Sequence, residues 1–293
     1  MSEIVLITDS SSDLNASFVA EHSIIQVPFY VSFNQVDYFK EGVELPVPAF
    51  YERMRQEKVF PKTSLPSITD YYQVFEPLAQ QNKQILCVCL SAHFSGSYNS
   101  AVNARELILE NYPHISIEII NSLNATGGQG LLVREVALMI QDGHSFETIL
   151  STVPKLIEKA RIFFYVATLD YLEHSGRIGK ASALLGTMLN VKPVLYLQDG
   201  LLYPIAKVRG KKKAVARLLE LVQEYVADTP EDFSYVVGHA DNVEESNAIF
   251  DSLSALLPVP VLSDHFLIGA TIGVNTGPDA CGICVMPKYE TVL

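Results

Sequence analysis

With 293 residues the chain is long enough for one large domain or two ordinary ones, and 48% hydrophobic residues supply a substantial core. Its 21 Lys and Arg stand against 33 Asp and Glu, a net charge of −12. That balance argues against a nucleic-acid groove, which needs a basic stripe to displace counterions.

In chain order, the opening "MSEIVLITDSSSDL" has neither the basic nor the long apolar region of a signal peptide and reads as a strand. "EIVLIT", "HSIIQVPF", "KQILCVCL" and "ISIEII" read as buried strands, and helical patterns start near Asp13, Pro48, Ser67, Ser97 and Thr126. This alternation predicts an α/β fold with a mainly parallel sheet, in which ligands sit where strands lead into helices. "RIFFYVATL" leads into two short helical segments, "DYLEHSGRIG" and "ASALLGTML". "KPVLYLQDGLLYPIAKV" reads as two strands joined at Asp199-Gly200. A long helix from about Lys211 to Val226, a strand "FSYVVGHA", a helix "EESNAIFDSLSALL", a strand "VPVLS" and a Gly-rich tail follow. The change of rhythm places a domain boundary near Arg161, with residues 1–160 and 161–293 as two α/β units whose segments interleave. Apolar runs such as "IFFYVATL" fall far short of the about 20 residues that span a bilayer, so a soluble, cytoplasmic protein is expected.

Three polar turns stand out. "SAHFSGS" (91–97) ends an apolar run and opens a helix, so unpaired helix N–H groups, the hydroxyls of Ser95 and Ser97, and the close approach permitted by Gly96 suit an anion; an ordinary capping turn is the other reading. "TSLPS" (63–67) precedes a helix capped by Ser67, and "NATGGQG" (124–130) opens another. "HSGRIGKAS" fails the phosphate-loop spacing, because His174 stands where its first glycine belongs and Ala181 follows Lys180. His239 and Asp241 in "VVGHAD" form a hydrolase triad with Ser95 only in principle, since Ser95 lacks the G-x-S-x-G elbow. Cys87-x-Cys89 and Cys281-x-x-Cys284 lie in strand-like runs, where residues three apart face opposite ways; buried thiols, not a metal site, are expected. The Gly277-Pro278 step in "TIGVNTGPDACGI" reads as a turn between apolar stretches.

Taken together, "ITDSSSDL", "GVELPVPAFYERM", "KTSLPS", "SGSYNSA", "LDYLEHSGRIGKASALLGTMLNVKPVL", "KVRGKKKA", "GHADN" and "NTGPDACGI" resemble the DegV family along nearly the whole chain. The resemblance implies a two-domain α/β protein, the N-terminal sheet mainly parallel and the C-terminal one mixed or antiparallel. It implies a buried apolar pocket between the domains for one long-chain fatty acid, whose carboxylate is presented to a separate ATP-dependent fatty acid kinase for conversion to an acyl-phosphate used in phospholipid synthesis. The chain itself is then a bacterial lipid-binding subunit with no catalytic residue, metal or cofactor besides its ligand. Thr63 and Ser95 match the family's carboxylate-binding residues, and Ser64, Gly96, Ser97, Gly128, Asn275 and Thr276 complete the expected ligand set. These donors include no Lys or Arg. Arg209 matches a kinase-docking residue. Asn275 replaces a family His, and Asp279 a family Gly. The rival readings are a serine hydrolase on acyl esters, using Ser95 and His239, and a lipid carrier or sensor without a kinase.

Overall fold

The computed structural model describes residues 3–186, 191–262 and 266–293. Its first part runs β1 (Ile4–Asp9), α1 (Ala16–Glu21), β2 (Ile25–Val27), β3 (Tyr30–Ser32), β4 (Phe39–Lys40), α2 (Val47–Glu57), β5 (Lys62–Ser64), α3 (Ile68–Gln80), β6 (Gln84–Cys89), α4 (Ser97–Asn111), β7 (Ile117–Asn121), α5 (Thr126–Gln141) and α6 (Phe146–Glu158). The second part runs β8 (Arg161–Tyr165), α7 (Asp170–Ser175), β9 (Val191–Gln198), β10 (Leu201–Arg209), α8 (Lys211–Val226), β11 (Phe233–His239), α9 (Val243–Leu256), β12 (Phe266–Leu267), α10 (Ala270–Thr276) and β13 (Cys281–Pro287).

Strands β2-β1-β6-β7, in that order, form a wholly parallel sheet. Their continuous apolar runs follow from burial on both faces. Leu6, Leu86 and Val88 enter the large central core, while Ile7, Ile85, Cys87 and Cys89 meet α3 and α4 on the other face. Ser67 starts α3 with a capping box, its hydroxyl accepting from the Asp70 amide while the Asp70 carboxylate accepts from the Ser67 amide.

The second sheet has the order β10-β9-β8-β13-β11-β12 and is antiparallel except for the β11–β12 pair. Asp199 and Gly200 both take positive φ (51° and 73°), as a tight two-residue hairpin requires. One face of this sheet is covered by α8 and α9 through Leu218, Val222, Ile249 and Leu253. The other face, with Ile162, Cys284 and Met286, joins the same central core as Leu6 and Leu86, and α5 and α6 contribute Leu132, Val136, Ile149 and Leu156 to it. Cys281 and Cys284 accordingly fall in different cores, on opposite faces of β13. No helix among the described residues is long and apolar enough to cross a membrane.

Four local readings change. "VPVLS" is not a strand over 259–262, since Pro258 and Pro260 have no N–H for a ladder; Leu262 makes a single backbone bond to the Tyr235 carbonyl (2.9 Å), and Ser263 lies outside the described residues. Lys62–Ser64, read as part of a turn, is instead β5 of a small antiparallel sheet ordered β4-β3-β5. Residues 270–276, read as an apolar stretch before a turn, form α10. The segment "ASALLGTML" is a short 3-10 helix over Gly179–Leu184, and its residues 187–189 lie outside the described residues.

Candidate functional site

Between the two sheets lies a cavity of about 1070 Å³, mouth included. Its floor is the inner face of the mixed sheet, and register explains its shape. Leu202, Leu197, Ile162 and Cys284 pair across β10, β9, β8 and β13 as one apolar row. Phe164, Gly282, Gly238 and Phe266 pair across β8, β13, β11 and β12 as the next. Two adjacent glycines in that row hollow the sheet. A Cβ on Gly282 would lie 2.7 Å from the Phe164 Cβ, and one on Gly238 would run into the Phe266 ring. Burial pushes the Cys284 thiol well up and the Cys281 thiol up to about 12, so both stay protonated.

One end of the cavity is polar. Thr63, Ser95, Gly96, Asn275 and Thr276 line it together, brought from β5, the β6–α4 turn and α10. The Ser95 Oγ accepts from the Ser97 amide (3.2 Å), and among the described residues nothing accepts its proton or that of Thr63. Both hydroxyls are thus available as donors. Asn275 spends one amide hydrogen on the Thr271 carbonyl (2.9 Å), one helical turn back. Thr276 points its hydroxyl at the Ile272 and Gly277 carbonyls, so it lines the cavity without offering a donor.

Three expected ligand residues stand apart from this lining. Ser97 is fully buried; its hydroxyl donates to Asp9 (2.9 Å) and bonds Tyr71 (2.7 Å), while its amide serves Ser95, so it holds the turn from beneath. Gly128 permits α5 to close on β8, since a Cβ there would sit 2.7 Å from Ile162; Ala125 and Thr126 from the same turn do line the cavity. Ser64 is exposed at the end of β5. Arg209 is exposed at the end of β10 and ion-paired to nothing among the described residues.

Arg177, absent from the expected ligand set, also lines the cavity. Its Nε donates to the Phe94 carbonyl (3.2 Å), next to Ser95, and its Nη1 to the Ser175 carbonyl (2.5 Å). The failed phosphate-loop comparison drew attention to "HSGRIGKAS" for its glycines and lysine; nothing local in the sequence marked its arginine as facing the β6–α4 turn. The triad geometry is not assembled. The His239 Nδ1 accepts from the Asn242 amide (3.1 Å), and Asp241 receives Arg55 (2.6 Å).

The "ITDSSSDL" segment supports the site from below. Asp9, completely buried at the end of β1, accepts from Ser11 (2.6 Å), Gln129 (2.9 Å), the Leu90 amide (2.9 Å) and Ser97 (2.9 Å). Burial raises its carboxyl pKa against the lowering effect of those donors. Asp13 binds Thr126 (2.6 Å) and the Gly269 amide (3.0 Å), while Glu41 binds Ser10 (2.5 Å) and both the hydroxyl (2.6 Å) and amide (2.8 Å) of Thr271. These two carboxyls fasten α10 to the first sheet. Burial lifts both, and the Glu41 charge lifts Asp13 further.

Fold and cavity together define an α/β protein with two main sheets and, between them, a largely apolar cavity with hydroxyl groups in its lining. The chain belongs to the DegV family: the family model, described as "Uncharacterised protein, DegV family", matches residues 3–288. A DegV domain-containing protein of Caldanaerobacter subterraneus subsp. tengcongensis is 35% identical over 289 residues, 97% of this chain and 98% of that one. A stearic acid-binding protein from Eubacterium ventriosum superposes with a TM-score of 0.94 at 37% identity, covering 99% of this chain and 100% of that one. DegV of Bacillus subtilis, described as a fatty acid binding protein, gives a TM-score of 0.87 at 30% identity, covering 98% and 100%.

Proposed function

We propose that the cavity, between a unit of residues 1–160 and one of residues 161–293, binds one long-chain fatty acid. The carboxylate sits at Ser95 and Thr63 with Gly96 and Asn275 nearby, and the alkyl chain lies over the glycine-hollowed floor. The observation that carries this reading is the pairing of two unspent hydroxyl protons with a predominantly apolar cavity. Each methylene moved from water contributes about 0.8 kcal/mol, so a long chain is held mainly by the floor. The carboxylate, poorly hydrated there, needs the donors. The stearic acid-binding and fatty acid-binding relatives support the same assignment. We propose further that the acid is delivered to a separate ATP-dependent kinase protein in the cytoplasm, with exposed Arg209 as a docking contact, and that the product acyl-phosphate enters phospholipid synthesis.

Mass spectrometry of a denatured extract of the purified protein is expected to find one fatty acid per chain. A protein that is empty and takes up no added fatty acid overturns the reading. With a fatty acid kinase and ATP, Arg209→Ala is expected to lower acyl-phosphate formation at unchanged fatty acid affinity; equal loss of both would make Arg209 a pocket residue.

A further inference from the structure

Phe266 belongs to two cavities at once. It closes the apolar cavity, and it also borders a second, more open pocket of mixed character, lined by Leu14, Pro28 and Val47 together with Ser10, Asp13 and Glu41. Its ring is seated on small residues. A Cβ on Gly127 would lie 2.5 Å from the ring, the Cys284 sulfur borders the same spot, and a Cβ on Gly238 would collide with the ring. Phe266, in β12, pairs backbone against backbone with Gly238 of β11, and among the described residues it is the one that lines both spaces.

The order of the strands places Phe266 away from the Ser95 end of the cavity. The wall formed by Phe266, Ile268, Thr271, Ile272, Asn275 and Thr276 is one continuous piece of chain. Across the floor, the donor end belongs to the other edge of the sheet: Arg177 reaches from beside Ser95, and Gly179 packs on Leu202 of β10. β12 is the opposite edge of that six-stranded sheet. At about 4.8 Å between strands, the two edges lie roughly 24 Å apart.

The geometry points to Phe266 as the residue that sets the longest alkyl chain this protein accepts: its ring is the wall the methyl end meets, and removing it opens the second cavity to the chain. This rests on the fatty-acid reading above. A buried methylene is worth about four-fold in affinity, so the limit appears as a break in a chain-length series. Saturated fatty acids of increasing even carbon number are titrated into delipidated wild-type, Phe266→Ala and Phe266→Leu proteins, with folding followed by circular dichroism. The wild type is expected to gain affinity up to one length and lose it beyond. Phe266→Ala is expected to bind acids two to four carbons past that length at least ten-fold more tightly than the wild type does. Phe266→Leu, which keeps an apolar wall, is expected to shift the break less and carries the test if the alanine variant fails to fold. A wild type with a clear break that stays in place in the folded variant overturns the role of Phe266 while leaving fatty-acid binding intact. A wild type that binds none of the series overturns the reading on which it rests.

Discussion

The two sheets divide the work of the site in a way their strand directions dictate. The parallel sheet ends β1 and β6 at the same edge, as parallel strands must, and there collects polar groups: Asp9, Ser11, Ser95 and Ser97. The mixed sheet meets the cavity with its face instead of its strand ends, and a face in register makes rows of side chains: Leu197 beside Ile162 beside Cys284, and Gly282 beside Gly238. One supplies hydrogen-bond donors held by a buried network, the other a smooth apolar trough. The buried carboxyls with raised pKa values, Asp9, Asp13, Glu41 and Glu135, all come from the first 160 residues. A pH-dependent contribution to stability is therefore expected from that side, and the proposed limit on alkyl length from the other.

The largest effect comes from breaking the polar side at its root. Asp9→Ala leaves the Leu90 amide, Gln129 and two hydroxyls without their shared buried acceptor. Each stranded group costs about 1–3 kcal/mol, so urea denaturation is expected to show a loss of at least about 3 kcal/mol. A loss under 1 kcal/mol would mean that the network rearranges and is not the support described. Next comes Ser95→Ala, which removes a donor from the cavity without disturbing the floor. Fatty acid affinity is expected to fall about ten- to a hundred-fold, the worth of one charge-assisted hydrogen bond. Stability should change by less than about 1 kcal/mol, as for other part-exposed sites. Unchanged affinity in the folded variant would move the head group elsewhere.

The smallest effect concerns pH. Asp13 faces Glu41 and Asp9, and its carboxyl is raised well above the ordinary value by burial first and the Glu41 charge second. The folded state therefore holds this proton more tightly than the unfolded chain. Its contribution is fully present below the unfolded value and is lost as pH rises through the raised folded value. Asp13→Asn removes that proton linkage, so its urea midpoint is expected to decline less than the wild type's between pH 4 and pH 8. The difference has a ceiling slope of about 1.4 kcal/mol per pH unit for one proton. Parallel profiles would show that Asp13 is not the group responsible, leaving Glu41 and Asp9 to be replaced in turn.

Local chemistry made much of this architecture legible before any coordinates. The apolar runs gave β1, β6 and β7; the Asp199-Gly200 pair announced its hairpin, and the periodicity from Lys211 to Val226 matched α8 end to end. Polar turns next to helices and a family pattern mark Thr63, Ser95, Gly96 and Asn275 as expected ligand residues, and the fold places all four in the lining of one cavity. The misses have a common cause. Helix α6 is not among the helices expected from the sequence, although Ser145 caps it and its apolar positions repeat, and α10 lies inside a Gly-rich segment. Ser97 reads as a ligand donor from the sequence, but its hydroxyl is committed to an aspartate 88 residues earlier in the chain.

The sequence by itself thus determined what short-range periodicity and capping encode: the parallel first sheet, the hairpin, the long helices and the anion-ready turn after β6. Only the tertiary structure decided which residues share the cavity. Arg177 beside Ser95, Gly238 abreast of Gly282, and Phe266 seated on Gly127 each join residues distant in the chain. The physical reason is register: strand pairing and helix packing set which side chains become neighbours, and a one-residue slip would turn every floor residue to the opposite face.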